Sequence, residues 1–266
     1  MIFFVVLAAS MLMSYFFVPL VEKMLVELKC TCPNYKGVNI PTAMGIAAIP
    51  VIVLLQAILY LFLKDVRIIA ITLSAVFMAL VGLLDDLVGQ KDVKGFKGHI
   101  RELLGGRLTT GGLKAIVGFF TAFFVSAIFS STYTDILLNT VLISLFTNTL
   151  NLLDLRPGRA IKFFALVFII ESVFAYRYAG LLLPIVGFIL VYFPLDIKAR
   201  GMLGDTGSNL LGAALGAFTA VSLNFNIRLG ITLLLILIHV IAEKYSITRL
   251  IEKSRVLKFF DELGRR

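Results

Sequence analysis

Apolar runs long enough to cross a bilayer recur along almost the whole chain, and no other feature limits its fold so severely. A hydrocarbon core about 30 Å thick takes roughly 20 consecutive apolar residues of helix, because in lipid every backbone N–H and C=O must be satisfied within the segment. Nine segments meet this pattern, at residues 2–21, 43–63, 66–84, 113–130, 134–153, 160–176, 179–195, 208–224 and 228–243. The links between them are too short to fold as a separate soluble domain. The expectation is therefore an all-α, polytopic integral membrane protein of about nine transmembrane helices, with one transmembrane domain over residues 1–245 and a basic amphipathic tail over 246–266. Composition agrees: the chain is 59% hydrophobic and 15% charged, whereas soluble domains are about 45–50% apolar and about 25% charged. The first run lacks a basic leader and a small-residue cleavage site before Glu22-Lys23, so it reads as a retained helix rather than a signal peptide.

Charge supplies the orientation. Placed by nearest membrane side, only Lys64, Arg67, Arg177 and Arg228 of the 25 basic residues fall on one side, and the other 21 fall on the opposite one. The positive-inside rule makes the basic side cytoplasmic, with the N-terminus out and the C-terminus in. The expected localisation is the inner (plasma) membrane. The net charge of +9 does not point to nucleic acid, because the lysines and arginines are strung through interhelical loops rather than gathered on one face of a module. Anionic lipid and phosphorylated substrates account for it better. Cys30 and Cys32 match neither a disulfide framework nor a four-ligand zinc site, and read as reduced thiols in a cytoplasmic loop.

Asp85, Asp86, Asp154, Asp196 and Asp205 all fall at helix ends on the basic side. The positive-inside rule does not require that, since acidic residues contribute little to orientation. Adjacent carboxylates such as Asp85-Asp86 bind a divalent cation or hold one group partly protonated by mutual repulsion; a solvated acidic helix end is the plainer alternative. Asn148, Asn151 and Asp154 follow at i, i+3 and i+6, spacing that places them on about one helix face. Polar groups on a greasy helix are costly unless they line a cavity, although interhelical hydrogen bonding also explains Asn148. Arg200-Gly-Met-Leu-Gly204-Asp205-Thr206-Gly207-Ser208-Asn209 then leads into an apolar helix. Its glycines admit close backbone approach, Ser208 or Thr206 can cap, and the new helix N-terminus offers free N–H groups to an anion.

Together these motifs resemble the polyprenyl-phosphate N-acetylhexosamine-1-phosphate transferases, the superfamily of phospho-MurNAc-pentapeptide translocase and the UDP-GlcNAc:undecaprenyl-phosphate transferases. The resemblance runs from about residue 33 to 216. Pro33-Asn34-Tyr35-Lys36-Gly37, Ile40-Pro41 and Gly45-Ile46 are similar to the family's first cytoplasmic loop, Asp85-Asp86 to its acidic pair, and Lys114 to the lysine that follows. Asn148, Asn151 and Asp154 occupy its N-x-x-N-x-x-D-G segment, and Gly204-Asp205-Thr206-Gly207-Ser208 resembles its G-D-x-G-S loop.

The resemblance implies attack of a lipid phosphate on the β-phosphorus of a UDP-sugar, with release of UMP, at a cytoplasm-facing site that uses Mg²⁺ (or Mn²⁺). The implied partners are the UDP-sugar, the polyprenyl phosphate carrier and the membrane; a homodimer is left open. It assigns the metal to Asp205, orientation or deprotonation of the lipid phosphate to Asp85 or Asp86, and phosphate binding to Lys114. Asn148, Asn151, Asp154, Gly204 and Ser208 fall at the substrate. The pattern departs at Asp154-Leu155-Arg156-Pro157-Gly158-Arg159, where the family reads D-G-x-D-G. Arg156 and Arg159 are expected to take over there by pairing with a diphosphate. The family's His- or Arg-rich cluster in its last cytoplasmic loop is also missing; His239 lies inside the ninth segment. These departures keep open a noncatalytic relative that binds lipid-linked or nucleotide ligands; a cation-coupled transporter is a second alternative, against which the aspartates at helix ends argue. From Ser246 onward the pattern predicts one basic amphipathic helix lying on an anionic surface or against a partner.

Overall fold

The computed structural model describes residues 2–89 and 95–265, and all nine expected segments are helical in it. In chain order the helices are α1 (Ile2–Glu27), α2 (Ala48–Leu63), α3 (Arg67–Val88), α4 (Gly95–Leu104), α5 (Thr110–Phe129), α6 (Tyr133–Leu153), α7 (Arg159–Phe174), α8 (Leu183–Ile197), α9 (Gly204–Ser222), α10 (Phe225–Lys244), α11 (Ile247–Lys253) and α12 (Arg255–Glu262). Among the described residues, seven helices are long and apolar enough to cross a membrane: α1, α2 with its lead-in from Met44, α3, α5, α6, α8 with its lead-in from Ala179, and α10. The other two are set apart by chemistry. Helix α7 has only 16 residues and carries Lys162 and Glu171, and α9 opens with Gly-Asp-Thr-Gly-Ser-Asn.

Helix α9 is the centre of the bundle, buried without a break from Thr206 to Ala220. Its small residues explain how. A Cβ on Gly212 would sit 2.6 Å from the Phe146 carbonyl oxygen, and one on Gly216 would sit 2.8 Å from Ile143 Cα, so α6 lies directly against α9. A Cβ on Gly82 of α3 would likewise meet the Asp205 carbonyl oxygen at 2.4 Å. Backbone approach through small residues is how helices associate where lipid supplies no hydrophobic drive. Helix α5 packs on α3 and α6, α10 on α6, and α1 with α2 and α8 forms the adjoining wall. The outer surface is apolar, with Phe119, Phe120, Phe123 and Phe124 of α5 all exposed, as a lipid-facing helix requires.

Short polar residues start several helices. Thr109, Thr132 and Asn224 accept from the backbone N–H three residues on, capping α5, α6 and α10. The loop after α1 contains a small antiparallel hairpin, β1 (Thr31–Pro33) and β2 (Asn39–Pro41). Asn34 closes its turn by accepting from Lys36 N and Val38 N through Oδ1. Cys30 and Cys32 are free thiols there. The single tail helix expected from the sequence is two helices instead. Ser254 ends α11 and caps α12 through Leu257 N, which turns the chain.

Candidate functional site

Two loops meet at the end of the bundle where α3 finishes and α9 begins. Met44 N donates to the Met202 carbonyl and Gly45 N to the Leu203 carbonyl, both at 3.0 Å, while Met202 N donates to the Pro41 carbonyl at 2.8 Å. Gly45 then abuts Gly207 so closely that a Cβ on it would be 2.3 Å from Gly207 Cα. This lacing fixes the first turn of α9 against α3. Gly204 is the hinge of the arrangement. Its φ of +74° suits glycine, and a Cβ there would meet Asp86 Oδ2 at 2.6 Å.

The first turn of α9 has no side-chain cap of its own, contrary to the expected role of Ser208 or Thr206. Asp86 supplies the cap from α3. Its carboxylate accepts from Asp205 N at 2.9 Å, Thr206 N at 2.9 Å and Thr206 Oγ1 at 2.6 Å. Asp154, which follows the last turn of α6, receives the Gly204 N–H. The free N–H groups that the sequence offers to a ligand anion are thus taken by two of the protein's own carboxylates.

Asp85 points the other way, into a cluster. Lys114 Nζ hydrogen-bonds Asp205 Oδ2 and, at 3.2 Å, Asp85 Oδ2. Thr110 adds a side-chain bond to Asp85. The Asn151 amide, turned so that its nitrogen faces the carboxylate, donates to Asp205 Oδ1 at 2.9 Å and Ser208 Oγ at 3.2 Å, and accepts from Lys114 Nζ at 3.2 Å. Asp85, Asp205, Lys114 and Asn151 are each only partly buried, so the cluster is reachable from outside. Burial pushes the Asp154 carboxyl well above the ordinary carboxylate range, and repulsion from Asp196, Asp205 and Asp86 adds to the effect.

The sequence-derived candidates therefore divide. Asp85, Asp86, Lys114, Asn151, Gly204, Asp205 and Ser208 are brought together, and Asp154 adjoins them through Gly204. Asn148 is exposed and takes no part in the cluster. Each step of three residues falls about 60° short of a full helical turn, so i, i+3, i+6 spreads over about 120° and turns Asn148 away. Arg156 lies 5.4 Å from the Tyr35 ring centroid and 3.9 Å from Glu252. It lines a small cleft of about 50 Å³ with Asn34, Tyr35 and Asp154. Arg159 is buried in a two-pronged pair with Asp261 of the tail, at 2.8 and 2.9 Å, and donates to Thr248 Oγ1 as well. The pairing of both arginines with one diphosphate is not the arrangement in this structure.

Sequence reasoning missed Asp261, Arg265 and the role of Asp196. Asp196 accepts from Gly158 N at 2.7 Å and so fixes the turn before α7. Arg265 donates to the Pro157 carbonyl and back to Asp261. The Asp261 pairing spans 102 residues of sequence and leaves no local signal.

The donor set suits a hard divalent cation. Among the described residues no group of three His, Cys, Asp or Glu side chains is arranged to hold a metal. Mg²⁺ does not need one: it is held by one or two carboxylates, with water and substrate phosphate completing the octahedron. Asp205 and Asp85 supply carboxylates that the Lys114 ammonium already bridges, so positive charge is what this position selects. Comparison of the chain with protein-family models and with curated protein sequences finds no match.

Proposed function

We propose that the chain is a glycosyl-1-phosphate transferase of the polyprenyl-phosphate type, with nine membrane crossings, its N-terminus outside and its candidate site facing the cytoplasm. The observation that carries the reading is the convergence of Asp85, Lys114, Asn151 and Asp205, from four different helices, on one partly exposed cluster at a single end of the bundle. A diphosphate is recognised by cations and positioned donors, and its transfer needs orientation and charge neutralisation more than covalent help. In the proposed reaction an oxygen of the polyprenyl phosphate forms a bond to the β-phosphorus of the UDP-sugar, the α-to-β bridging P–O bond breaks, and UMP leaves.

Each residue then has a task. Asp205, with Asp85 beside it, would hold Mg²⁺, which when bound would neutralise diphosphate charge. Lys114 holds the two carboxylates in place and lends its ammonium to a phosphate oxygen. Asn151 and Ser208 orient Asp205. Asp86 caps α9 and so holds Asp205 in register, which is a positioning role. Arg156, over Tyr35 beside Asp154, is placed for the nucleotide.

A cation-coupled transporter would carry its working carboxylates near the bilayer midplane. Glu171, the buried carboxyl of α7, instead accepts from Thr219 near the far end of α9. The test of the transferase reading is UMP release by the purified protein from a panel of UDP-sugars with undecaprenyl phosphate and Mg²⁺, scored together with nucleotide binding. UMP and a lipid-linked sugar diphosphate are expected from at least one sugar. Nucleotide binding without turnover would instead establish the noncatalytic relative.

A further inference from the structure

Helix α3 runs 22 residues from Arg67 to Val88, about 33 Å at 1.5 Å per residue, and its two ends carry opposite chemistry. At the Arg67 end lies an open cavity of about 680 Å³, lined among others by Lys64, Asp65, Arg67, Ser131, Asp135 and Arg228. Of the four basic residues that sequence alone places on this side, three line this one cavity.

Two of the three are held rigidly. Arg67 donates through Nε to the Val221 carbonyl at 3.1 Å and through Nη1 to Asp65 at 3.2 Å, and its guanidinium lies 4.2 Å from the Tyr178 ring centroid. Among the described residues its Nη2 makes no hydrogen bond. Arg228, only 9% exposed, donates to Asn139 at 2.6 Å and Asp135 at 2.8 Å, and its buried Nε has no acceptor among the described residues. Lys64 sits at the end of α2 in the left-handed conformation, exposed and without an ion-pair partner among the described residues. Three cations thus face two carboxylates. Helices α3, α6 and α10 begin beside the cavity and α2, α5 and α9 end beside it, so the helix dipoles offset one another and the side-chain charges set its sign.

We propose that this cavity binds a phosphate group, and specifically the headgroup phosphodiester of an anionic phospholipid. The Nη2 group of the rigidly held Arg67 suits a phosphate oxygen, and Lys64, which lies 5.6 Å from the Tyr60 ring centroid and has no carboxylate partner among the described residues, adds the net charge. The hydrocarbon rim favours a lipid over a free ion: Leu63, Val66, Phe129 and Leu223 line the same opening, and Leu63 and Val66 are exposed. Acyl chains can therefore lie against the protein while the phosphate sits among the cations. The site is independent of the transferase reading, since it lies at the other end of the bundle.

The experiment is native mass spectrometry of the purified protein with phosphatidylglycerol or phosphatidylcholine, alongside thermal unfolding with and without inorganic phosphate. Wild type is expected to retain phosphatidylglycerol at least about fivefold better than phosphatidylcholine, roughly 1 kcal/mol, and Lys64→Glu to abolish the preference. Lys64 is exposed, so this variant folds. Stabilisation by inorganic phosphate that is lost in Lys64→Glu, with no lipid preference, would keep the phosphate site but replace the lipid by the free ion. Absence of both effects in wild type, or their persistence in Lys64→Glu, would overturn the proposal.

Discussion

Two charged networks share the end of the bundle at which α3 finishes, and they are balanced in opposite ways. In the first, the carboxylates of Asp85 and Asp205 face the single ammonium of Lys114, and the Asp86 carboxylate lies beside them on the first turn of α9. In the second, the single carboxylate of Asp261 faces Arg159 and Arg265, with Lys162 donating to the carbonyls of Phe260 and Asp261. Every oxygen lone pair of Asp261 is answered by a guanidinium N–H, and nothing is left over for a ligand. The acidic network keeps carboxylate in excess and stays partly exposed. Hydrogen-bond saturation makes a fastener, whereas unmatched charge in a reachable position makes a site.

The strongest way to break this comparison is to neutralise one carboxylate in each network. Asp205→Asn is expected to lower transfer by at least about a hundredfold, the scale of losing one charged contact to a developing transition state. Its thermal midpoint should stay within a few degrees of wild type, because no packing volume is lost. Asp261→Asn should leave turnover within about threefold. UMP release read beside thermal unfolding checks both, and comparable activity losses in the two variants would erase the distinction.

The second contrast lies inside the acidic network, between neighbours. Asp86 accepts three bonds from the first turn of α9, whereas Asp85 turns to Lys114. Asp86→Asn is therefore expected to destabilise the fold by about 1–3 kcal/mol, as one of the two oxygens that accept from the first turn of α9 becomes an N–H donor. Gly204→Ala should do the same, through its φ of +74° and the 2.6 Å approach to Asp86. Asp85→Asn should instead reduce activity with little change in unfolding temperature. A stable but inactive Asp86→Asn would move Asp86 from cap to chemistry.

How much of this could be read in the sequence depends on the range over which each signal acts. The helical segments were legible because lipid enforces length and apolarity residue by residue, and the observed helices match the expected ones to within a few residues at most ends. Asp85, Lys114 and Asp205 were legible as candidates through motif order, not through geometry. That Asp86 caps α9 was not legible, because donor and acceptor are 119 and 120 residues apart and any helix start could have claimed the N–H groups. The hairpin was hidden by prolines at Pro33 and Pro41, which usually demote a strand. The break at Ser254 was a readable cap signal that the amphipathic pattern overshadowed.

Acid sharpens the difference between fastener and site. Burial would raise the Asp261 carboxyl, but the hydrogen bonds and charges of Arg159 and Arg265 hold it down at about 2. A folded value below the ordinary 3.8 means that the clamp contributes fully above about pH 4 and is lost as pH falls towards 2. Asp261→Asn removes the contribution at every pH. Trypsin cleavage after Arg255 and Lys258 at neutral pH is expected to run about tenfold faster in Asp261→Asn than in wild type, as a locally opened tail allows. Equal rates would show that α11 and α12 are held by something other than this clamp.

The smallest expected effect separates the two arginines of the divergent loop. Their spacing invites a shared diphosphate, yet Arg159 is committed to Asp261 and Thr248, while Arg156 stands over Tyr35 at the mouth of the cleft that also contains Asp154. Glu252 lies 3.9 Å from Arg156, too loosely placed to hold a guanidinium that is a third exposed. Arg156→Gln should therefore weaken UDP-sugar binding by about three- to tenfold, up to about 1.4 kcal/mol. Arg159→Gln should change it by less than about twofold while releasing the tail to trypsin, since the guanidinium it removes touches the fastener and not the cleft. Calorimetry on the two single variants distinguishes them. If Arg159→Gln weakened binding as much as Arg156→Gln, the tail would have to be part of the nucleotide site, and the separation between the two networks would fail where they come closest.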